Sequence, residues 1–482
     1  MTIRLAVDFG TATTCMATVP DVANFQAKVI PIDGDSPIAR TAVFLERPTT
    51  TPPLVRSTSP FGRSPLAAFD HAYTMFDQYW RARRNARTCG VKWAAWEQAI
   101  PSREEGLLLT YFKPELADHP VRVPIRVPRV RWGRFDPMSQ SQDIEVEFEE
   151  RSAAFPDPDT HDLVSSTAAV LRRCVQRALA DAGPGERISV LTIGMPSFGN
   201  DISSAEATRA RDRRLEAVKL ARIAEDFGTN DFRVELYGEA EAAAWSVDLD
   251  LDRPSAYKII VDVGAGTTDL ALVEYHRERS GRYRVARRVR SHTLRYAGRD
   301  LTLALTLVLR DNPEFLSGIK ALDHVDKRAW QYVMDHEIER LKCGLTSSPT
   351  MFQIDFNRAS AFEDATEAMS KIAQALRKSA FVTLTASDAG LRNAVGAAVA
   401  KAWLPAVSDF IRESLDDRHV RNNFAGVEKV GGAFRFAPLN AQLLEALRQN
   451  HLPPTQVQFR DEGGQAQTMV ARGLARWTAL LA

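Results

Sequence analysis

Cysteine is scarce in this chain of 482 residues, which carries four thiols far apart, at Cys15, Cys89, Cys174 and Cys343. Without a C-x-x-C pair or metal-ligand spacing, the thiols fit a reducing compartment and no disulfide framework. Long apolar runs are also missing, since the longest, around 393–407, is too short to cross a membrane. The opening residues MTIRLAVDFG lack the pattern of a signal peptide. We therefore expect a cytoplasmic protein without membrane contact.

An excess of either charge is missing as well. The chain has 62 basic and 61 acidic residues, for a formal net charge of +1. A dedicated nucleic-acid binder normally carries a strong basic excess, so nucleic acid is not an expected partner. With 45% hydrophobic and 26% charged residues the composition is that of a globular protein, and the length predicts about three compact units or two large lobes.

What the chain does contain is an internal repeat. Residues 8–14 read DFGTATT and residues 262–268 read DVGAGTT, with Asp, Gly and two Thr at matching positions. Apolar segments flank both copies: IRLAV and CMATV around the first, KIIV and LALVEY around the second. The pattern predicts two β-hairpins with small-residue turns. Neither copy has the glycine spacing of a dinucleotide-binding turn or of a P-loop, so these two readings are excluded.

Turns rich in small residues, such as these two, can bind an anion. Small residues let backbone N–H groups approach phosphate oxygens closely. Further hydroxyl donors are available at Thr11, Thr13, Thr267 and Thr268. The carboxylates beside the turns suit Mg²⁺ bound through its waters, and these are Asp8, Asp262 and Asp269. Two facing hairpins would hold a polyphosphate with its metal; the alternative is two purely structural tight turns.

These segments, with others in the same order, resemble the ATPase superfamily shared by actin, sugar kinases and the heat-shock protein 70 chaperones. The chain is most similar to the chaperones' nucleotide-binding domain. DFGTATTC resembles the first phosphate loop of that domain, and VDVGAGTTDLALV resembles the second. TIGMPSFGND (192–201) is similar to the segment of the interdomain switch, with Pro196 as its proline, and MVARGLA (469–475) resembles the closing helix.

The resemblance implies an α/β fold of the actin-like ATPase type, with two ribonuclease-H-like lobes around a nucleotide cleft. Lobe I is expected at 1–250, with its sheet core at 1–45 and 160–250 and an inserted subdomain at 46–159. Lobe II is expected at 251–482, with its core at 251–297 and 385–482 and an upper subdomain at 298–384. Helices are expected near 160–182, 203–226, 238–247, 326–344 and 363–379.

The resemblance also implies the site residues. Phosphate contacts would come from Gly10, Thr11, Ala12, Thr13, Gly264, Ala265, Gly266, Thr267 and Gly298 of RYAGRDL. The base and ribose would be bound by Glu339, Lys342 and Thr346 of ERLKCGLTSS, and by Gly431, Gly432 and Arg435 of KVGGAFRFAP. Glu339 and Lys342 could instead form a surface ion pair, and the two glycines a strand-to-helix turn.

Catalysis would rest on a glutamate at the start of YGEAEAAAWS. The resemblance makes Glu239 the residue that orients the attacking water, although Glu241 competes for this role. A carboxylate at a helix start is also favoured by the helix dipole alone. Asp8 and Asp262 would assist through the metal.

Several positions depart from the chaperone pattern. Ala12 and Ala265 stand for Thr and Gly, and Gln467 stands where an Asp is expected. The stretch SPFGRSPLAAFD offers Arg63 in place of the catalytic lysine, and the nearest alternative is Lys113, which could equally be a surface lysine. We therefore expect slow hydrolysis, or ATP acting as a conformational ligand.

Two segments are not explained by the resemblance. In 119–150, VRVPIRVPRVRW alternates basic and apolar residues and DIEVEFEE alternates acidic and apolar ones, which predicts an antiparallel hairpin with opposite charges paired across it. It could dock a partner or be a self-complementary insertion. The basic segment YWRARRNAR (79–87) is interpreted as a solvated helix face, with a nucleic-acid contact as the alternative.

No peptide-binding domain is expected after the ATPase lobes, because the sequence ends at Ala482. The leading hypothesis is thus a Mg²⁺-dependent ATPase that hydrolyses ATP to ADP and phosphate, with lobe closure acting on a partner protein in trans. The main alternative is an actin-like ATPase that self-associates into filaments. A small-molecule kinase and a non-hydrolysing nucleotide sensor are further alternatives, since one fold serves many functions.

Overall fold

The computed structural model describes residues 2–20, 25–32, 34–46, 91–93, 106–110, 113, 122–136, 141–154, 160–197, 205–310, 342, 350–353, 381–384, 401–459 and 465–481. The chain divides into two compact units. One comprises Met1–Thr41, Arg173–Arg211 and Ala224–Ala482, and the other Ala42–Arg172 and Asp212–Ile223. The lobe boundaries drawn from the sequence stay a prediction.

The strands are numbered along the chain. They are β1 (Thr2–Phe9), β2 (Thr13–Thr18), β3 (Lys28–Ile30), β4 (Ala39–Arg40), β5 (Ala42–Glu46), β6 (Val91–Trp93), β7 (Gly106–Thr110), β8 (Arg122–Asp136), β9 (Ser141–Ala154), β10 (Arg187–Met195), β11 (Gly228–Gly238), β12 (Ser255–Val263), β13 (Thr268–Arg277), β14 (Tyr283–Leu294), β15 (Thr350–Gln353), β16 (Phe381–Leu384), β17 (Phe424–Val430) and β18 (Val457–Phe459).

The described α-helices are α1 (Thr160–Ala182), α2 (Ala205–Leu220), α3 (Ile223–Phe227), α4 (Glu239–Trp245), α5 (Gly298–Arg310), α6 (Lys401–Ser414), α7 (Arg418–Asn422), α8 (Ala437–Gln449) and α9 (Gln465–Ala479). They confirm the helices predicted near 160–182, 203–226 and 238–247, the second of which is divided into α2 and α3. The helices predicted at 326–344 and 363–379 and the segment 79–87 lie outside the described residues. Within the described ranges, no helix combines the length and apolarity needed to cross a bilayer.

The first unit contains two mixed sheets with the same plan. One sheet has the order β3-β2-β1-β10-β11, with β4 paired to β2, and the other has the order β14-β13-β12-β17-β18. In each sheet the first three strands form an antiparallel meander, and the two later strands run parallel to the first. The predicted α/β class is confirmed, and the same strand order occurs twice in the chain.

Both central hairpins form where the repeat predicts them. β1 and β2 pair antiparallel and close at Phe9 opposite Thr14, while β12 and β13 close at Val263 opposite Thr268. Most residues of β1 and all but the first residue of β12 are buried, as expected for strands covered on both faces. The two small-residue turns therefore lie at corresponding ends of two similar sheets.

Two helices cross between the sheets. Helix α4 follows β11 of the first sheet and packs on β12 and β13 of the second, whereas α9 follows β18 of the second sheet and packs on β1 and β2 of the first. The helices also pack on each other, so closely that a Cβ on Gly473 would lie 1.6 Å from the carbonyl oxygen of Ala242. The alanine-rich sequence of α4 provides the short side chains that this approach requires.

The second unit holds two smaller sheets. One has the order β6-β5-β7, and the other is the two-stranded hairpin of β8 and β9. The hairpin predicted from charge alternation in 119–150 is confirmed. Its register places Arg126, Arg129 and Arg131 opposite Glu150, Glu147 and Glu145, respectively.

Candidate functional site

The first turn, Gly10–Ala12, is fixed by one threonine. The hydroxyl of Thr41 donates to the carbonyl of Gly10 at 2.8 Å, and the Thr41 N–H donates to the carbonyl of Ala12 at 2.9 Å. In a trans peptide, the N–H lies opposite the carbonyl, so the N–H groups of Thr11 and Thr13 point away from Thr41. Sequence reasoning missed Thr41, because no local pattern links it to a turn thirty residues earlier.

The second turn, Gly264–Thr267, is fixed by the start of a helix. The carbonyls of Gly264 and Ala265 accept the N–H groups of Gly298 and Arg299, at 2.9 and 2.8 Å. Both donors open α5. By the same peptide geometry, the N–H groups of Ala265 and Gly266 point away from α5. The two turns thus share one anchored carbonyl, that of Gly10 and of Gly264. The second anchored carbonyl differs, because Ala265 matches Thr11 of the repeat and not Ala12. In both turns the N–H groups of the anchored peptides point away from the anchor.

Gly298 and Lys342 both lie beside this second turn. A Cβ on Gly298 would be 3.0 Å from the carbonyl oxygen of Gly264. The buried ammonium of Lys342 donates to the carbonyl of Gly298 at 2.9 Å and to the hydroxyl of Thr302 at 3.1 Å. Lys342 is thereby placed against the start of α5. Glu339 and Thr346, its predicted companions at the base and ribose, lie outside the described residues.

Two of the predicted metal carboxylates stand at corresponding positions on the first strand of each hairpin. Asp8 lies opposite Cys15 in the register of β1 and β2, and Asp262 lies opposite Asp269 in that of β12 and β13. Asp8 is half-buried and Asp262 is buried. Hard carboxylate oxygens that reach Mg²⁺ through its waters fit this placement. Within the described ranges, no three His, Cys, Asp or Glu side chains form a direct metal cluster.

Asp269 has a different environment from Asp8 and Asp262. Its Oδ1 accepts the N–H of Ser197 and the hydroxyl of Thr293, both at 2.7 Å, and its Oδ2 accepts the hydroxyl of Thr267 at 2.9 Å. The side chain is 1% exposed. Both oxygens are therefore engaged by protein donors, and the carboxylate ties the second turn to the end of β10.

Glu239 and Glu241, the two candidates for the catalytic glutamate, have different surroundings. Glu241 accepts a 2.5 Å hydrogen bond from the Ser197 hydroxyl and forms an ion pair with Arg288 of β14. Glu239 opens α4 and lies against Gly194 of β10, where an added Cβ would be 3.2 Å from its Cγ. Both glutamates are buried. Glu241 is thus part of an ion pair with Arg288, and the catalytic role of Glu239 stays a prediction.

Of the paired glycines after β17, the first is required by its main-chain conformation and packing, and the second lies against a side chain. Gly431 has a φ of +89°, and a Cβ there would be 2.3 Å from the carbonyl of Val263 and 2.8 Å from Oδ1 of Asp262. A Cβ on Gly432 would be 2.6 Å from Nε2 of Gln467. The short 3₁₀ helix Gly432–Arg435 follows, and Arg435 is half-buried. These glycines bring the end of β17 directly against Asp262.

Two cationic residues are candidates for the position of the catalytic lysine, Lys113 and Arg63. Lys113 is buried and belongs to the second compact unit. Its catalytic role stays a prediction. Arg63 lies outside the described residues.

Comparison with known proteins adds no relative. No family model matches the chain, and no curated protein matches its sequence.

Proposed function

We propose that this chain binds ATP with Mg²⁺ between its two glycine-threonine turns and hydrolyses it slowly to ADP and phosphate. The observation that carries this proposal is the double occurrence of one plan: the same sheet order, with the same hairpin register at its centre and a turn whose first glycine carbonyl is held by the protein. This plan supports an actin-like ATPase fold of two ribonuclease-H-like lobes, most similar to that of the heat-shock protein 70 chaperones.

The polyphosphate is bound by main-chain donors in this proposal. The N–H groups of Thr11 and Thr13 serve it from one turn, and those of Ala265 and Gly266 from the other. Asp8 and Asp262 hold Mg²⁺ through its waters, and the metal neutralises phosphate charge. Asp269 is assigned to positioning, because protein donors engage both of its oxygens.

Glu239 is the proposed general base. It orients a water toward the terminal phosphorus and accepts a proton from it as the new P–O bond forms and the bond to the ADP oxygen breaks. Gly431, Gly432, Arg435 and Lys342 are proposed to bind the adenosine together with Glu339 and Thr346. Closure around the nucleotide would then act on a partner protein in trans.

The test compares Glu239→Gln with Glu225→Gln, an exposed glutamate on α3. We expect Glu239→Gln to bind Mg-ATP within twofold of the wild type and to lower kcat by about 100-fold, the usual contribution of a general base. Glu225→Gln should match the wild type in both. Unchanged turnover in Glu239→Gln would remove the proposed base. Light scattering on the same samples separates the alternatives, because growth into large assemblies with Mg-ATP would favour the filament.

A further inference from the structure

A single serine connects the first sheet to two buried carboxylates. Ser197 follows Pro196 just after β10 and is 2% exposed. Its N–H donates to Asp269 at 2.7 Å and its hydroxyl donates to Glu241 at 2.5 Å. Asp269 belongs to the second hairpin, and Glu241 to the first turn of α4. One residue thereby fixes both the phosphate turn and the helix that begins with Glu239.

The Glu241 carboxylate packs closely against Gly238. A Cβ on Gly238 would be 1.8 Å from Oε2 of Glu241 and 2.9 Å from the hydroxyl oxygen of Ser197. On its other oxygen, Glu241 accepts a hydrogen bond from Arg288 of β14. The start of α4 is therefore held through Glu241 from two sides, by the end of β10 and by the edge strand of the second sheet.

Glu239 and Glu241 lie in the same turn of α4, and both are buried. The hydroxyl of Ser197 and the guanidinium of Arg288 each donate to one carboxylate oxygen of Glu241. Fixing Glu241 therefore also fixes the main chain from which Glu239 extends.

We infer that Ser197 is a positioning residue for the proposed hydrolysis, acting through Glu241 to set the place of Glu239 relative to the second turn. This inference rests on the proposed function. A hydrogen bond that fixes the helix start matters for turnover more than for affinity, because small displacements of a reacting group reduce rate steeply. ATP itself is bound elsewhere, by the turns.

The experiment measures kcat and KM for ATP in Ser197→Ala, which loses the hydroxyl and keeps the N–H bond to Asp269. We expect kcat to fall about tenfold with KM within twofold of the wild type. Ser197→Cys, a side chain of similar size that donates weakly, should show the same loss and guards against misfolding of the alanine variant. The matched control is Ser246→Ala, which loses a hydroxyl bonded to the carbonyl of Met469 at the other end of α4.

A double variant distinguishes positioning from general weakening. If Ser197 acts through Glu241, then Ser197→Ala with Glu241→Ala should be no slower than Glu241→Ala alone, because Glu241→Ala already removes the acceptor of the Ser197 hydroxyl. Multiplying losses would contradict the inference. Wild-type kcat in Ser197→Ala and Ser197→Cys, together with slow Glu239→Gln, would overturn the inference and leave the proposed function standing. A wild-type protein that neither binds nor hydrolyses ATP would overturn both.

Discussion

The two hairpins share a sequence pattern and a register, yet they are anchored differently. The first is held by Thr41, a residue of the same sheet region, whereas the second is held by the start of α5 and by Asp269. The residue opposite the leading aspartate is Cys15 in the first hairpin and Asp269 in the second. Cys15 makes a long 3.6 Å contact with the carbonyl of Gln467, while Asp269 accepts three hydrogen bonds. A repeated hairpin can thus keep its register while its supports diverge.

The first glycines of the two turns, Gly10 and Gly264, also differ in how much space surrounds them. A Cβ on Gly10 would be 2.2 Å from the carbonyl oxygen of Thr13, whereas a Cβ on Gly264 would be 3.5 Å from that of Thr267. The first turn therefore requires glycine and the second accepts alanine. The following predictions test this asymmetry.

The largest effect is expected from alanine at the first glycine. Gly10→Ala forces main-chain atoms apart and should lower the free energy of unfolding by about 3 kcal/mol. Gly264→Ala, the matched variant of the second turn, should change it by less than about 0.5 kcal/mol. Urea unfolding of both variants measures the difference. Equal losses would show that the two turns have the same steric requirement.

The second-largest effect on stability is expected at the residues that pair with Asp8 and Asp262. Asp269→Asn removes the charge that three protein donors stabilise, and it should lower the free energy of unfolding by about 2 kcal/mol. Cys15→Ala, at the matching place in the first hairpin, should cost about 1 kcal/mol. The same unfolding assay measures both. A larger loss in Cys15→Ala would contradict the different roles assigned to these positions.

Alkaline pH should lower the free energy of unfolding, in part through the Cys15 thiol of the first hairpin. Burial, and then the nearby Asp8 charge, raise the pKa of the Cys15 thiol well above its ordinary value of 9.0, and burial raises that of Cys174 to about 12. Above pH 9 the unfolded thiols ionise while the folded ones keep their protons, so stability falls as pH rises. Each thiol contributes up to about 1.4 kcal/mol per pH unit, a limit that is reached once the unfolded thiol is fully ionised. Cys15→Ala should therefore lose stability less steeply than the wild type between pH 9 and 10, and parallel curves would count against this.

The smallest effect is expected at Thr41. Thr41→Val removes the hydroxyl bonds to Gly10 and Thr14 and keeps the N–H bond to Ala12. We expect a loss of about 1 kcal/mol and an affinity for Mg-ATP lowered about threefold. Thr18→Val, which removes a hydroxyl bond to the carbonyl of Arg4 on the same hairpin, is the control for affinity. Equal ATP affinities in the two variants would mean that Thr41 does not shape the turn.

The sequence predicted the parts of the fold that depend on local pattern. The repeated D-x-G turn between apolar segments located both central hairpins, and charge alternation located the β8–β9 hairpin. Periodicity located α1 and α4. These features are encoded within about twenty residues, where spacing alone separates strand from helix.

The supports of the site could not be predicted in the same way. Thr41, Ser197 and Arg288 act through contacts with residues 31, 72 and 47 positions away. Their own neighbours in the sequence give no sign of this. Asp269 is predicted to reach Mg²⁺ through water, because a carboxylate beside a turn has that chemistry. Two of its three protein donors, Ser197 and Thr293, are distant in the sequence and could not be foreseen. Likewise, the glycines expected to lie against adenine also make room for Asp262 and Gln467.

The central claim is that both hairpins contribute to a single Mg-ATP site. Calorimetric titration of Mg-ATP into the wild type, Asp8→Asn, Asp262→Asn and the double variant tests it most directly. We expect one site per chain, with each single variant weakening binding at least about tenfold, the loss of one charge-assisted contact to the hydrated metal. Wild-type binding in either single variant, or no binding of Mg-ATP by the wild type, would contradict the account.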